Sequence, residues 1–321
     1  MATRRVLLLL KPLDVSPPKI AANHPPNIIN YLNSRYRGHK DAIKYCQDVL
    51  QHKFVDLEPV MRDNLCHPIR HVDLVITIGG DGTLLHASHF LDDSIPILGV
   101  NSDPTRIEEV NELSNEFDAT RSTGYLCAAT TKNFEQVLDD LLEGHKQPSQ
   151  ISRISITING KESPMYALND ILVAHSCPAM VSRFSFRIQG NNKTSSRLVH
   201  SRSSGLRVST AAGSTAAMLA GGGSPMPILS QDLQYMVREP ISPRAAEAPL
   251  MHGFVKPDQS MLLEWYTQEG AIYVDGGNVA HSLQYGDRVE ISAKAPVLKA
   301  YLPQDLLRDS SPTSCQPRSA L

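Results

Sequence analysis

Residues 72–91 read VDLVITIGGDGTLLHASHFL, from Val72 to Leu91, and this stretch decides the fold. Val72 to Ile78 is rich in β-branched residues, interrupted by Asp73 and Thr77. That composition suits a strand buried on both faces of a parallel sheet. Gly79-Gly80-Asp81-Gly82-Thr83 follows at once, and Leu84, Leu85 and Ala87 begin a helix. Strand, glycine turn and helix together present bare backbone N–H groups and a positive dipole end to a phosphate. Glycines at 79, 80 and 82 remove Cβ atoms that would hold a pyrophosphate away. Asp81 is out of place in such a cradle, because a carboxylate repels phosphate unless a metal or a proton transfer offsets the cost. An acid there suggests chemistry beyond binding. Taken alone, Gly79-Gly80-Asp81-Gly82 also fits a tight turn with a solvated Asp.

Outward from this stretch, Val6 to Leu10 reads as the first strand, and the apolar run stops at Lys11-Pro12, too short for a signal peptide. Residues 13–36 are rich in Pro, Asn and Ser and are expected to form loop and short helix. Ala42, Ile43, Cys46, Val49 and Leu50 recur at helical spacing, predicting an amphipathic helix over 40–50. A short strand is expected near Phe54-Val55 and another at Ile95 to Val100, closing on Asn101. Alternating strands and helices in this order mean a parallel sheet with helices on both faces. Ligands of such sheets bind outside the carboxyl ends of the strands, where Gly79–Thr83 and Asn101 fall.

The whole chain bounds the function. Its 321 residues suffice for about two domains. With 41% hydrophobic and 20% charged residues it has an ordinary globular composition. A formal charge of −2 argues against nucleic acid or a membrane surface as partner, and no transmembrane segment is apparent. Cys46, Cys66, Cys127, Cys177 and Cys315 are odd in number without C-x-x-C spacing, so they read as reduced thiols of an intracellular protein. His86 and His89 stand three apart on a helix but lack a third ligand, and read as surface histidines.

The texture changes near residue 122. Asn133 is placed to cap a helix with Gln136 in the capping-box position; Phe134, Val137, Leu138, Leu141 and Leu142 form its apolar stripe, and Gly144 ends it. Beyond Ile151 the chain is β-rich. Asn159-Gly160 signals a hairpin whose returning strand is expected at Tyr166 to Ala174. Further strands are expected at Phe184–Ile188, Leu206–Thr210, Met261–Trp265 and Val289–Ala293. The expectation is an α/β N-terminal domain with a parallel sheet over 1–122. A β-rich, mostly antiparallel C-terminal domain follows over 123–302, with a flexible tail over 303–321.

Four motifs, in order, resemble those of the NAD kinase family, most closely its plant NADH kinase branch. They are Gly79–Thr83 (GGDGT), Asn169-Asp170 in LNDILVA, Gly213-Ser214-Thr215-Ala216, and Asp275-Gly276 in IYVDGG. The resemblance covers roughly residues 1–300. It implies transfer of the ATP γ-phosphate to the 2′-hydroxyl of the adenosine ribose of NADH or NAD⁺, with Mg²⁺ carried by the phosphates. By this analogy Asp81 accepts the hydroxyl proton. Gly79, Gly80, Gly82 and Thr83 approach the phosphates, Asn101 stands beside them, and Asn169 and Asp170 serve the adenosine. Thr210, Gly213, Ser214 and Thr215 form a second turn toward the dinucleotide, with Ser214 or Thr215 as a helix cap. Lys193, Arg197, Arg202 and Arg207 could clamp a triphosphate, although a solvated loop is the commoner outcome. A homo-oligomer, with a dimer favoured, is expected.

The chain departs from the family's pattern in three places. Ser203-Ser204-Gly205 stands where Gly-Asp-Gly is usual, so Ser204 replaces an acid. Thr210-Ala211-Ala212 precedes Gly213, with Ala217 in place of an aromatic ring, and Ser102-Asp103-Pro104 replaces a glycine-rich run after Asn101. Loss of the acid at Ser204 would remove a bias toward the cationic nicotinamide and favour NADH. Two rival readings are a GGDGT-type lipid kinase and a non-catalytic NAD(H)-binding sensor. The C-terminal Ser319-Ala320-Leu321 lacks the central basic residue of a peroxisomal address, so a cytoplasmic protein is expected, with the peroxisome as alternative.

Overall fold

The computed structural model describes residues 4–12, 25–53, 55–191, 194–241, 248–277 and 279–308. The chain forms two compact units, one of Met1–Ser149 with Lys299–Arg308, the other built on Gln150–Leu298.

In the first unit, strands run in the spatial order Val55–Met61, Arg4–Leu10, Leu74–Gly79, Ile97–Asn101 and Leu298–Tyr301. All these pairings are parallel. Every residue of Leu74–Gly79 is buried, as its apolar run requires. The register sets Leu10 beside Ile78 and Gly79 beside Asn101, so three neighbouring strands end together.

A 27-residue helix, Pro26–His52, buries Tyr31, His39, Ala42, Cys46, Val49 and Leu50. It starts well before the expected residue 40. Pro at the first helical position needs no N–H partner. Long-range bonds hold its polar first turns: Asn27 donates to Glu116 at 3.0 Å, and the Tyr31 hydroxyl donates to Ala119 O at 3.0 Å. Loop-like composition there marks the solvent side of a helix. Residues 13–24 lie outside the described residues, as does Phe54; the expected short strand runs from Val55 to Met61.

The first unit extends past the expected boundary at 122. Phe134, Val137, Leu138 and Leu141 on helix Phe134–Leu142 join one core cluster with Val6, Leu8, Ile76 and Leu98, so the helix belongs with the parallel sheet. Asn133 does not cap it; its side-chain oxygen accepts the Thr130 N–H at 2.8 Å instead.

The second unit holds two six-stranded antiparallel sheets. Their facing side chains form one core, including Ile171, Phe184, Val208, Tyr235, Leu263, Trp265 and Ile272. Asn159 and Gly160 have φ of 51° and 81°, the left-handed pair of a hairpin turn. The returning strand is Lys161–Glu162, however, not 166–174. Asp170–Ala174 enters the other sheet between Gly205–Ser209 and Glu269–Val274, because its apolar residues are needed on that inner face. Of the expected tail, Gln304–Arg308 is helical, and residues 309–321 lie outside the described residues.

Candidate active site

The first unit carries the glycine turn at the carboxyl end of its sheet. Helix Asp81–Ser88 starts directly after Gly80, and the Thr83 N–H donates to Gly80 O at 2.9 Å. The three glycines differ in purpose. A Cβ on Gly79 would lie 2.2 Å from Thr83 Oγ1, and one on Gly80 would lie 2.2 Å from Ser122 Oγ. A Cβ on Gly82 would meet nothing within 4 Å. Gly79 and Gly80 are therefore glycines for packing, and Gly82 alone leaves its space open. The turn lines a cavity of about 1260 Å³ together with Lys11, His39 and Arg121.

Asp81 is held from the far side of this turn. Its carboxylate accepts the N–H groups of Tyr125 and Leu126, each at 2.8 Å, and the Thr123 hydroxyl at 3.3 Å. Cys127 Sγ lies 3.7 Å from Asp81 Oδ1. Burial, and next the Asp81 charge, push that thiol well above its ordinary range. Thr83 is buried, and its hydroxyl has no hydrogen-bond partner among the described residues.

Asn101 is buried, donates to Ser122 O at 3.2 Å and accepts from Asp103 N–H at 3.2 Å. Segment 102–121 leaves the sheet after Asn101 and includes helix Ile107–Leu113. Arg121, whose side chain is fully buried, pins it to Asp103 at 2.6 Å and Glu109 at 2.5 Å. The chain then returns as Ser122-Thr123-Gly124. Gly124 has φ of 63°, and a Cβ there would lie 2.4 Å from Asn101 Nδ2. Gly124 is thus the glycine that packs against Asn101 in this chain. Gly124-Tyr125-Leu126 was the signal that sequence reasoning passed over.

The second unit gathers the other motifs. Asp275, with φ of 48°, accepts the N–H groups of Leu168, Asn169 and Asp170 at 2.7, 2.7 and 3.0 Å. This carboxylate fixes the Asn169-Asp170 turn as two amides fix Asp81. Asn169 Oδ1 is buried without a hydrogen-bond partner among the described residues. Asp170 pairs with Arg207. Burial raises the Asp170 carboxyl above its ordinary range, Arg207 opposes that, and Asp275 adds to it.

Gly213 packs on the same turn, since a Cβ there would lie 2.2 Å from Asn169 O. Thr210 and Ser214 are buried and spend their hydroxyls on main chain, Thr210 on Leu168 O at 2.5 Å and Ser214 on Ala211 O at 2.7 Å. Neither Ser214 nor Thr215 caps a helix: Ala212–Thr215 is a 3-10 turn without a side-chain cap bond. Thr215 is half-buried on it. Ser204 stands apart, before the strand Gly205–Ser209 whose other end carries Thr210; five residues span roughly 17 Å.

The basic residues before the second glycine segment do not gather into a clamp among the described residues. Arg207 is committed to Asp170, Arg197 and Arg202 are exposed, and Lys193 lies outside the described residues. His86 packs on Phe90, and its ring centroid is 6.5 Å from that of His89. Among the described residues no three His, Cys, Asp or Glu side chains are grouped to hold a metal. No helix among them is long and apolar enough to cross a membrane.

Residues 32–103 match the model of the ATP-NAD kinase N-terminal domain family. A probable NADH kinase of Oryza sativa subsp. japonica is 58% identical over 97% of this chain and 100% of its own. An NADH kinase of Arabidopsis thaliana is 59% identical over 94% of this chain and 96% of its own. Among solved structures, a yeast NADH kinase complexed with NADH aligns with a TM-score of 0.66. It is 14% identical, covering 99% of this chain and 91% of that one, a likeness of fold.

Proposed function

The chain belongs to the NAD kinase family, and we propose that within it the protein is an NADH kinase, phosphorylating the adenosine ribose 2′-hydroxyl of NADH from ATP. The observation that carries this reading is identity near 58% with plant NADH kinases along almost the whole chain.

The residues divide the work as follows. The Gly79–Thr83 turn takes the phosphates, with Gly82 leaving the open approach. A phosphoryl transfer needs positioning and a proton acceptor more than covalent help. Asp81 is that acceptor. As the 2′-oxygen bonds to the γ-phosphorus, the bond from that phosphorus to the bridging oxygen breaks, ADP leaves, and the hydroxyl proton passes to Asp81. The two short amide bonds hold the carboxylate, and the longer Thr123 contact is the one the substrate hydroxyl replaces. Asn169 serves the adenosine, and Asp275 holds it in place by accepting its main-chain N–H.

The divalent ion would enter as MgATP, carried by phosphate oxygens and water, and would neutralise charge on the transferring phosphate. NAD⁺ is the second acceptor substrate. The protein is a homo-oligomer, a dimer first, and cytoplasmic, with the peroxisome as alternative. An NADPH-specific reductase coupled to the purified protein tests the reading: NADPH must form from NADH only when MgATP is present. ATP-independent signal, or none, would reject it.

A further inference from the structure

The cations around the glycine turn are not equivalent. Arg121 is spent on Asp103 and Glu109, Arg35 on Asp103, and Arg62 on its neighbour Asp63. Arg37 and Lys40 are exposed on helix Pro26–His52, with Asp41 beside them. Lys11 differs. It is half-buried, lines the cavity, and makes no ion pair among the described residues. It follows strand Arg4–Leu10, and its N–H donates to Ile78 O at 3.0 Å. Its Cβ lies 3.2 Å from the place a Cβ would take on Gly79, so the root of Lys11 is pressed against the first residue of the turn. A lysine carries its charge on a four-carbon stem with three donors, long enough to serve phosphate oxygens over that turn.

His39 fixes this root. The ring is 7% exposed, with Nε2 at 3.1 Å from Lys11 O and Nδ1 at 2.7 Å from Ser102 Oγ. A carbonyl only accepts, so the neutral ring carries its proton on Nε2, and Nδ1 accepts the Ser102 hydroxyl. The Ser102 N–H in turn donates to Gly79 O at 2.8 Å. One imidazole therefore joins the ends of three adjacent strands, those ending at Leu10, Gly79 and Asn101. An apolar side chain would fill the space but leave Lys11 O unserved and Ser102 Oγ with only its longer bond to Gly79 O at 3.3 Å.

We propose that Lys11 is the cation that binds the donor phosphates at the Gly79–Thr83 turn, and that His39 is the residue positioning it. The assignment rests on reading that turn as the ATP phosphate site. It is tested with the full chain and Lys11→Met, Lys11→Arg and His39→Gln. kcat and KM are measured separately for MgATP and NADH, MgATP binding by calorimetry, and Tm by melting.

Lys11→Met should weaken MgATP binding about ten- to a hundredfold, the range for a lost charge-assisted bond. The KM for NADH should stay within about twofold, and Lys11→Arg should recover most of the loss. His39→Gln, which keeps a donor for Lys11 O but loses the ring's hold on Ser102, should raise the KM for MgATP severalfold at unchanged NADH binding. The Lys11 assignment is overturned if Lys11→Met binds MgATP like wild type. It is equally overturned if MgATP and NADH suffer alike, with Lys11→Arg giving no recovery. A wild type that binds MgATP in a Lys11-dependent way without forming NADPH would sink the kinase reading and leave this one standing.

Discussion

The carboxylate of Asp81 accepts the main-chain N–H of Leu126 at 2.8 Å, across 45 positions of sequence. The acid in the phosphate turn is therefore also the anchor of the returning loop, and its neighbour amide at Tyr125 makes the same bond. This dual duty shapes what its replacement would do.

Asp81→Asn should lower kcat by about 10²- to 10⁴-fold, the usual cost of losing a general base. It should also destabilise the fold by about 1–3 kcal/mol, because one of the two amides would face an NH₂ group in place of an oxygen. Turnover and thermal melts are measured on the same preparation. Near-wild-type turnover would remove the base assignment, and an unchanged Tm would remove the anchor.

The glycines should separate by consequence. Gly82→Ala has room for its methyl and should leave stability within about 0.5 kcal/mol of wild type while impairing use of MgATP. Gly213→Ala drives a Cβ to 2.2 Å from Asn169 O and should cost about 1–3 kcal/mol or more. Denaturant titrations of both variants check this; equal stability losses would contradict the division.

Burial holds the His39 imidazole below its ordinary range near 6.5. As pH falls through about 6.5 the unfolded chain takes up a proton that the folded chain refuses, so stability falls toward acid. The contribution is fully present above that pH and is lost as pH drops to the folded pKa. His86 and His281 are shifted the same way, chiefly by burial, and add to the slope. His39→Gln should therefore shrink, without abolishing, the drop in Tm between pH 7.5 and pH 5. An identical drop in the variant would show that His39 is not a contributor.

Ser204 is half-buried, and its N–H donates to Arg238 O at 3.0 Å. If the acid usual at this position favours the cationic nicotinamide, Ser204→Asp should move the kcat/KM ratio toward NAD⁺. Each tenfold of that shift corresponds to about 1.4 kcal/mol of transition-state preference. An unmoved ratio would remove Ser204 from acceptor choice.

The strand, turn and helix at 72–91 were legible because their evidence is local: a β-branched run, three glycines and a helical apolar pattern within twenty residues. The antiparallel character of the second unit was legible for the same reason, in alternation and in Asn159-Gly160, but its division into two sheets was not. What stayed hidden depends on backbone meeting backbone. The amides of Tyr125 and Leu126 reach Asp81, and those of Leu168 to Asp170 reach Asp275; an amide has no residue signature. The main-chain bonds of Asn101, Thr210 and Ser214 are equally invisible in the sequence, since a buried polar side chain is satisfied by whatever lies beside it. The early start of helix Pro26–His52 was masked by Pro and Asn, whose helical use there rests on distant partners at Glu116 and Ala119.

The most direct test of the central claim is kcat/KM for NADH against NAD⁺, measured with MgATP on the purified protein by NADPH- and NADP⁺-specific readouts. The account predicts ATP-dependent turnover of both with a clear preference for NADH. A preference for NAD⁺ would contradict the NADH kinase assignment, and no turnover of either would contradict the kinase itself.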